Sequence, residues 1–196
     1  MGGMAGAIAN NGGIGGGLNC GNHVPVTATV FTDFEYLTTS PFIEFTSPTG
    51  FRGTFFGDND VNGSTFAVAT GADAHSPGHA LKVTTANTGF VEIGPNFPGR
   101  IGCLDLSEFK GISFWVKGNG RLHFKLTDGT ADRTVGNLTS TYTQRTVTWA
   151  QLAGFSPAVL MQTQAPVRNR SFLFYVDGPG DNSSASLYLD DIALVP

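Results

Sequence analysis

Phe109-Lys110-Gly111-Ile112-Ser113-Phe114-Trp115-Val116-Lys117-Gly118 carries apolar residues at alternate positions between two glycines. That period of two is the pattern of a β-strand with one face in a core. Ile112, Phe114 and Val116 are expected to point inward, which sends Ser113, Trp115 and Lys117 to the other face. A tryptophan on the outward face calls for a reason of its own.

Beyond this strand, the same alternation broken by turn residues recurs along the chain from Val24 onward. Strands are expected over Val30 to Leu37, Ile43 to Thr46, Thr54 to Gly57, Phe66 to Thr70, His79 to Thr85 and Gly89 to Ile93. They continue over Gly111 to Lys117, Arg121 to Thr127, Tyr142 to Thr148, Ser171 to Asp177 and Ser186 to Leu194. Gly118-Asn119-Gly120 is short enough to predict a tight hairpin, and the only helical candidate is one turn around Trp149 to Ala153. About ten strands and almost no helix predict an all-β, antiparallel sandwich of two packed sheets.

Composition agrees with one such domain. The chain has 196 residues, and its charged fraction of 13% is about half of the ~25% usual in soluble domains. Low charge with abundant Gly, Ser and Thr reads as extracellular. A net charge of -4 with scattered Lys and Arg offers no basic field for phosphate backbones, which argues against nucleic acid. The longest apolar run, Phe172 to Val176, falls far short of the ~20 residues that span a bilayer. The first Lys or Arg is Arg52, so no signal peptide is legible, and the sequence is expected either to be the mature form or to be exported by another route.

Residues 1–23 hold nine of the 27 glycines and no sustained apolar period. They read as a Gly-rich N-terminal extension to a domain of residues 24–196. Such an extension is either a flexible tail or a segment that orders along the sheet edge of a neighbouring subunit. Cys20 and Cys103 are the only cysteines. In an extracellular chain they are expected to pair, closing a loop of about 84 residues and stabilising by roughly 4–5 kcal/mol. Four N-x-[ST] sequons, at Asn62, Asn137, Asn169 and Asn182, occur in a chain rich enough in Ser and Thr to produce them by chance.

Several local patterns, taken in order, carry a family likeness. They are Thr32-Asp33-Phe34-Glu35, then Gly78-His79-Ala80-Leu81-Lys82-Val83, then Leu104-Asp105-Leu106-Ser107 running into Gly111 to Gly118. Thr146-Val147-Thr148-Trp149 and the ending Leu187-Tyr188-Leu189-Asp190-Asp191-Ile192 complete the series. From Val30 to Val195 the chain resembles the β-jelly-roll, galactose-binding-like carbohydrate-binding modules of secreted bacterial glycoside hydrolases, including the family 11 type. The resemblance implies a jelly-roll topology and a structural calcium ion. By the same resemblance Glu35 and one of Asp190 or Asp191 would be ligands, with carbonyls from the Ala74 to His79 loop. Strand alternation puts the two aspartates on opposite faces, so only one should reach the metal, preferably Asp190, unless a bulge intervenes. Asp58-Asn59-Asp60-Val61-Asn62-Gly63 has the first half of a calcium-loop pattern, but position twelve is Ala69, which excludes an EF-hand.

The polar face of the opening strand yields the candidate binding residues. Trp115 and Lys117, with Arg121, His123 and Lys125 on an expected hairpin partner and Tyr175 and Asp177 on a later strand, would form an aromatic surface rimmed by charged groups. Sugar rings stack apolar CH faces on aromatic planes while their hydroxyls need polar partners, so such a face suits polysaccharide. The competing reading packs Trp115 beneath a loop, or covers this face with another subunit or with the tail. No H-E-x-x-H or G-x-S-x-G pattern occurs, and no catalytic residues are assigned. Two functions stand at this level. One is a secreted, non-catalytic polysaccharide-binding sandwich stabilised by calcium. The other is an extracellular structural subunit of a filament, tube or surface layer, partnered with identical subunits through its glycine-rich tail.

Overall fold

The computed structural model describes residues 23–26, 29–35, 43–46, 52–59, 65–84, 90–96, 103–126, 131–152, 160–161, 172–178 and 184–196. In chain order the strands are β1 (His23–Pro25), β2 (Val30–Thr32), β3 (Ile43–Thr46), β4 (Arg52–Asn59) and β5 (Thr65–Thr70). Next come β6 (His79–Thr84), β7 (Phe90–Asn96), β8 (Cys103–Asp105), β9 (Gly111–Asn119) and β10 (Arg121–Leu126). The last are β11 (Asp132–Asn137), β12 (Thr143–Thr148), β13 (Leu160–Met161), β14 (Phe172–Asp177) and β15 (Ser186–Val195). Among the described residues the helical segments are two short 3-10 turns, Gly71–Asp73 and Trp149–Gln151. Each strand expected from the sequence has a counterpart, and β1, β8, β11 and β13 are additional.

Two antiparallel sheets make the sandwich. One, the Tyr175 sheet, runs β11-β10-β14-β7-β4-β3; the other, the Trp115 sheet, runs β12-β9-β15-β6-β5, with β2 paired to the far part of β15. A small sheet of β1, β8 and β13 stands apart, with β1 parallel to β8. Cys103 lies in β8 opposite His23, while Cys20, its expected disulfide partner, lies outside the described residues.

Alternation decides which residues meet between the sheets. Phe114 of β9 packs edge-on against Phe174 of β14 at 4.9 Å and parallel to Phe124 of β10 at 6.3 Å. Ile112, Val116, Leu122, Phe172, Leu187 and Leu189 are buried around these rings. Burying a phenylalanine side chain stabilises by roughly 1.5–3 kcal/mol, which is why one register is strongly preferred in both sheets.

The expected hairpin at Gly118-Asn119-Gly120 is not one. β9 and β10 belong to different sheets, so this corner carries the chain from one layer to the other, as strands at sandwich corners do. Gly118 and Gly120 have φ of 145° and 112°. A side chain at Gly120 would collide with the Asp177 carbonyl oxygen, and one at Gly118 with the Ser186 carbonyl. Asn119 between them ties the start of β15, donating to the Ser184 carbonyl at 2.8 Å and accepting from the Ser186 amide at 2.6 Å.

The motif Thr32-Asp33-Phe34-Glu35 is a tight turn leaving β2. The buried Thr32 hydroxyl accepts the Phe34 amide (3.1 Å), and the Asp33 carboxylate accepts the Glu35 amide (3.3 Å). Phe34 takes a positive φ of 59°, an uncommon conformation for a bulky residue. Its ring is buried in the core and Glu35 is released toward the 74–79 loop.

Candidate functional site

The sandwich separates the residues that strand alternation assigned to one face. Phe114 and Phe174 meet in the core, so their neighbours Trp115 and Tyr175 lie on opposite outer surfaces. His123, Lys125, Tyr175 and Asp177 come together; Trp115 does not join them. The corner at Gly118-Asn119-Gly120 is the cause, because a β9/β10 hairpin would have kept all five on one sheet.

Trp115 lies under a loop. His75 stacks on it with ring centroids 3.8 Å apart and planes at 16°, and Tyr142 meets His75 edge-on at 5.4 Å. Lys117 Nζ bonds the Asp73 carboxylate (3.1 Å), and the Tyr142 hydroxyl donates to the Asp73 carbonyl (2.8 Å). The outward tryptophan thus anchors the segment from Gly71 to Gly78.

Below the same loop lie the expected metal residues. β15 pairs with β9 at Asp190 opposite Trp115 and resumes at Ala193 opposite Ser113. Asp191 and Ile192 therefore oppose Phe114 alone, which makes a bulge. Asp191 has φ of 44°, and the extra residue turns both aspartates to one side, against the simple alternation. Asp190 Oδ2 accepts the amides of His75 (2.9 Å) and Ser76 (3.3 Å), while Asp191 Oδ2 meets His75 Nδ1 at 2.9 Å.

Glu35 stands beside this pair. Its Oε1 accepts the His79 amide at 3.3 Å and the Ser76 hydroxyl at 3.4 Å, and that hydroxyl is 3.5 Å from Asp190 Oδ2. The Glu35 carboxylate rests in the space over Gly78, where any Cβ would collide with it.

The donor set suits a divalent cation. Ligand atoms of His75, Asp190 and Asp191 lie within 4.8 Å of one another. Asp190 is fully buried and accepts hydrogen bonds from backbone amides and a hydroxyl. Burial first, and the Asp191 charge after it, push its carboxyl up to about 6 against the pull of those amides. A buried carboxylate beside a second one is costly, and a cation between them would relieve both. The arrangement differs from the expected one in two respects: the loop offers amide N–H groups to the carboxylates, and an imidazole stands among the oxygens. Asp58 and Asn59, from the partial calcium-loop pattern, are the last residues of β4, and the rest of that pattern lies outside the described residues.

The outer surface of the Tyr175 sheet carries the remaining candidates. His123 and Glu92 flank Tyr175 in register, and Arg121 and Phe90 flank Asp177. Phe90 is 40% exposed, the one large hydrophobic so exposed among the described residues. Its ring lies 5.0 Å from that of Tyr175 with planes at 33°. Lys125 Nζ sits 3.4 Å from the Tyr175 ring centre and His123 meets that ring edge-on at 5.6 Å.

Polar contacts lock the rim. His123 Nδ1 faces Asp132 at 2.9 Å, its Nε2 faces Asp177 at 3.2 Å, and Arg121 bonds Asp177 at 3.0 Å. Burial pushes the Asp177 carboxyl up, but hydrogen bonds from Tyr175 and Arg121 outweigh it and hold the group below the usual carboxylate range. Past Arg121 the face opens into a depression of about 530 Å³ lined by Asn119, Arg121, Asn137, Asp177 and Gly178. Sequence reasoning missed Phe90, yet the alternation of Phe90-Val91-Glu92-Ile93 already sets it on the side opposite the buried Ile93.

A two-sheet jelly-roll with an aromatic, charge-rimmed sheet face and carboxylates under a loop defines a class of architecture. In that class the chain has the fold of the family 11 carbohydrate-binding module of a cellulosomal cellulase of Clostridium thermocellum. The two share 16% identity over 87% of this chain and 95% of that module, with a TM-score of 0.50. An exo-β-agarase structure matches with a TM-score of 0.51 and 12% identity, over 86% of this chain and 25% of that one. A family 30 carbohydrate-binding module from C. thermocellum gives a TM-score of 0.49 and 13% identity, over 86% and 96% of the two chains. No protein-family model matches the sequence, and neither does any curated protein. Among the described residues, no helix is long and apolar enough to cross a membrane.

Proposed function

We propose that this domain is a non-catalytic, extracellular polysaccharide-binding module that holds its ligand on the outer face of the Tyr175 sheet. The observation that carries the proposal is the Phe90–Tyr175 ring pair, exposed at Phe90 and set among Arg121, His123, Lys125 and Asp177. Exposed aromatic area on a sheet face is unfavourable in water unless something covers it, and the CH faces of a sugar chain are suited to do so. The charged rim supplies donors and acceptors for sugar hydroxyls, and its mutual ion pairs keep those groups in place before the ligand arrives.

A binding role fits the carboxyl chemistry better than hydrolysis does. Glycoside hydrolysis by paired carboxyl groups needs one of them held protonated near neutrality. Among the described residues, Asp177 on this face is pushed the other way, and the carboxyl that is raised, Asp190, is buried under the loop on the opposite sheet.

Calcium belongs to the same proposal as a structural ion held by Asp190 and Asp191, with Glu35 adjacent. Bound there, it would supply positive charge to the buried carboxylates and fasten the 74–79 loop to β15 and to the turn after β2. At free calcium 100-fold above the dissociation constant, chelation should lower the melting temperature by about 5–10 °C. An unmoved melting temperature would remove the ion from the proposal and leave the sugar face untouched.

The sugar face is tested by affinity electrophoresis against a panel of soluble polysaccharides. Phe90→Ala and Tyr175→Ala together should abolish retardation, whereas Trp115→Ala, on the opposite sheet, should leave it intact. Undiminished retardation of the double variant, or a wild-type protein retarded by no member of the panel, would overturn the assignment.

A further inference from the structure

We propose a second site, for an oxyanion, in the seam where the open edges of the two sheets meet. β11 ends the Tyr175 sheet and β12 ends the Trp115 sheet. Arg133 of β11 pairs with Phe124, and Arg145 of β12 pairs with Phe114. Directly opposed residues of a ladder project to the same side of their sheet. Both arginines therefore project to the inner side, as Phe114 and Phe124 do, and those rings stack across the core at 6.3 Å. The two edge strands thus bring a pair of guanidinium groups to the open side of the sandwich.

Between them is a depression of about 250 Å³ whose described lining is Arg133, Thr134, Gln144, Arg145, Thr146 and Gln151, with Val147 buried in its wall and no carboxylate among the described lining residues. Its volume lies below the ~300–1,000 Å³ of sites that enclose whole small molecules, which suits a single anionic group. Arg145 uses one N–H on the Asn137 carbonyl (3.3 Å), and the Gln151 side-chain oxygen accepts the Thr148 amide (3.0 Å), which leaves its NH₂ group to donate. The Lys and Arg ion pairs among the described residues engage Lys117, Arg121 and Lys125, and neither seam arginine. Two like charges facing one seam, with neither paired to a carboxylate among the described residues, are relieved by an anion, and the guanidinium fork matches the oxygens of sulfate or carboxylate.

The shared chemistry is an oxyanion, whether a free ion or the sulfate ester or uronate carboxylate of an acidic polysaccharide. The test is titration with sodium sulfate, against sodium chloride at equal ionic strength, followed by melting temperature and by backbone amide shifts of β11 and β12. The expected result is saturable binding of sulfate that weakens at least tenfold in Arg133→Gln and in Arg145→Gln and is unchanged in Tyr175→Ala. Arg133→Lys and Arg145→Lys keep the charge without the fork and should also weaken it. Equal responses to chloride and sulfate, or binding retained in the arginine variants, would overturn the site. A sulfated or uronate-bearing oligosaccharide competing with sulfate would assign the site to a glycan, and binding of sulfate alone would assign it to the free ion.

Discussion

At the scale of single residues, Asp177 holds together the outer face of the Tyr175 sheet. It accepts from Arg121 at 3.0 Å and faces His123 Nε2 at 3.2 Å, and His123 in turn meets the Tyr175 ring edge-on. Its carboxyl is depressed in the folded protein, so the stabilisation it contributes is complete above the unfolded carboxyl value of about 3.9 and is lost as pH falls through the folded value. The stability difference between wild type and Asp177→Asn, measured by urea denaturation, should therefore shrink as pH is lowered below about 4. A difference that stays constant down to about pH 2 would contradict that linkage.

Among the elements, two short segments determine where the faces go. Gly118-Asn119-Gly120 moves the chain between sheets with positive φ at both glycines, and Gly120→Ala would drive a Cβ into the Asp177 carbonyl oxygen. That variant should lose about 1–3 kcal/mol of stability in denaturant unfolding, the usual cost of backbone strain at such positions. The bulge in β15 does the corresponding work on the other sheet, by bringing Asp190 and Asp191 to the loop that Trp115 supports. Because Trp115 is only partly buried, Trp115→Ala should cost about 2 kcal/mol, less than the ~3–5 kcal/mol of a core tryptophan. Polysaccharide affinity should not change, and a variant with native stability would show that the His75 stack contributes little.

For the whole molecule, β1 starts at His23 and pairs with β8. Deleting residues 1–22 should leave the domain folded and its polysaccharide affinity unchanged, as checked by circular dichroism and affinity electrophoresis. Loss of a polymer formed by the full chain would favour the structural-subunit reading instead. Much of the architecture was legible because alternation records burial directly: Ile112, Phe114 and Val116 read as inward and are buried. Alternation is a property of one strand, however, and says nothing about which sheet the strand joins. The placement of Trp115 therefore depended on Gly118-Asn119-Gly120, a tripeptide equally suited by composition to a hairpin or to a crossing between layers. The paired aspartates depended on a bulge that no local pattern in Asp190-Asp191-Ile192 announces. The seam arginines needed both sheets in place before they could be seen to face one depression. Strand positions, their inward faces and the all-β class are written in the chain itself, since they follow from local periodicity and hydrophobic burial. Which outward residues share a surface is set by the folded molecule, because it depends on contacts between segments far apart in the sequence.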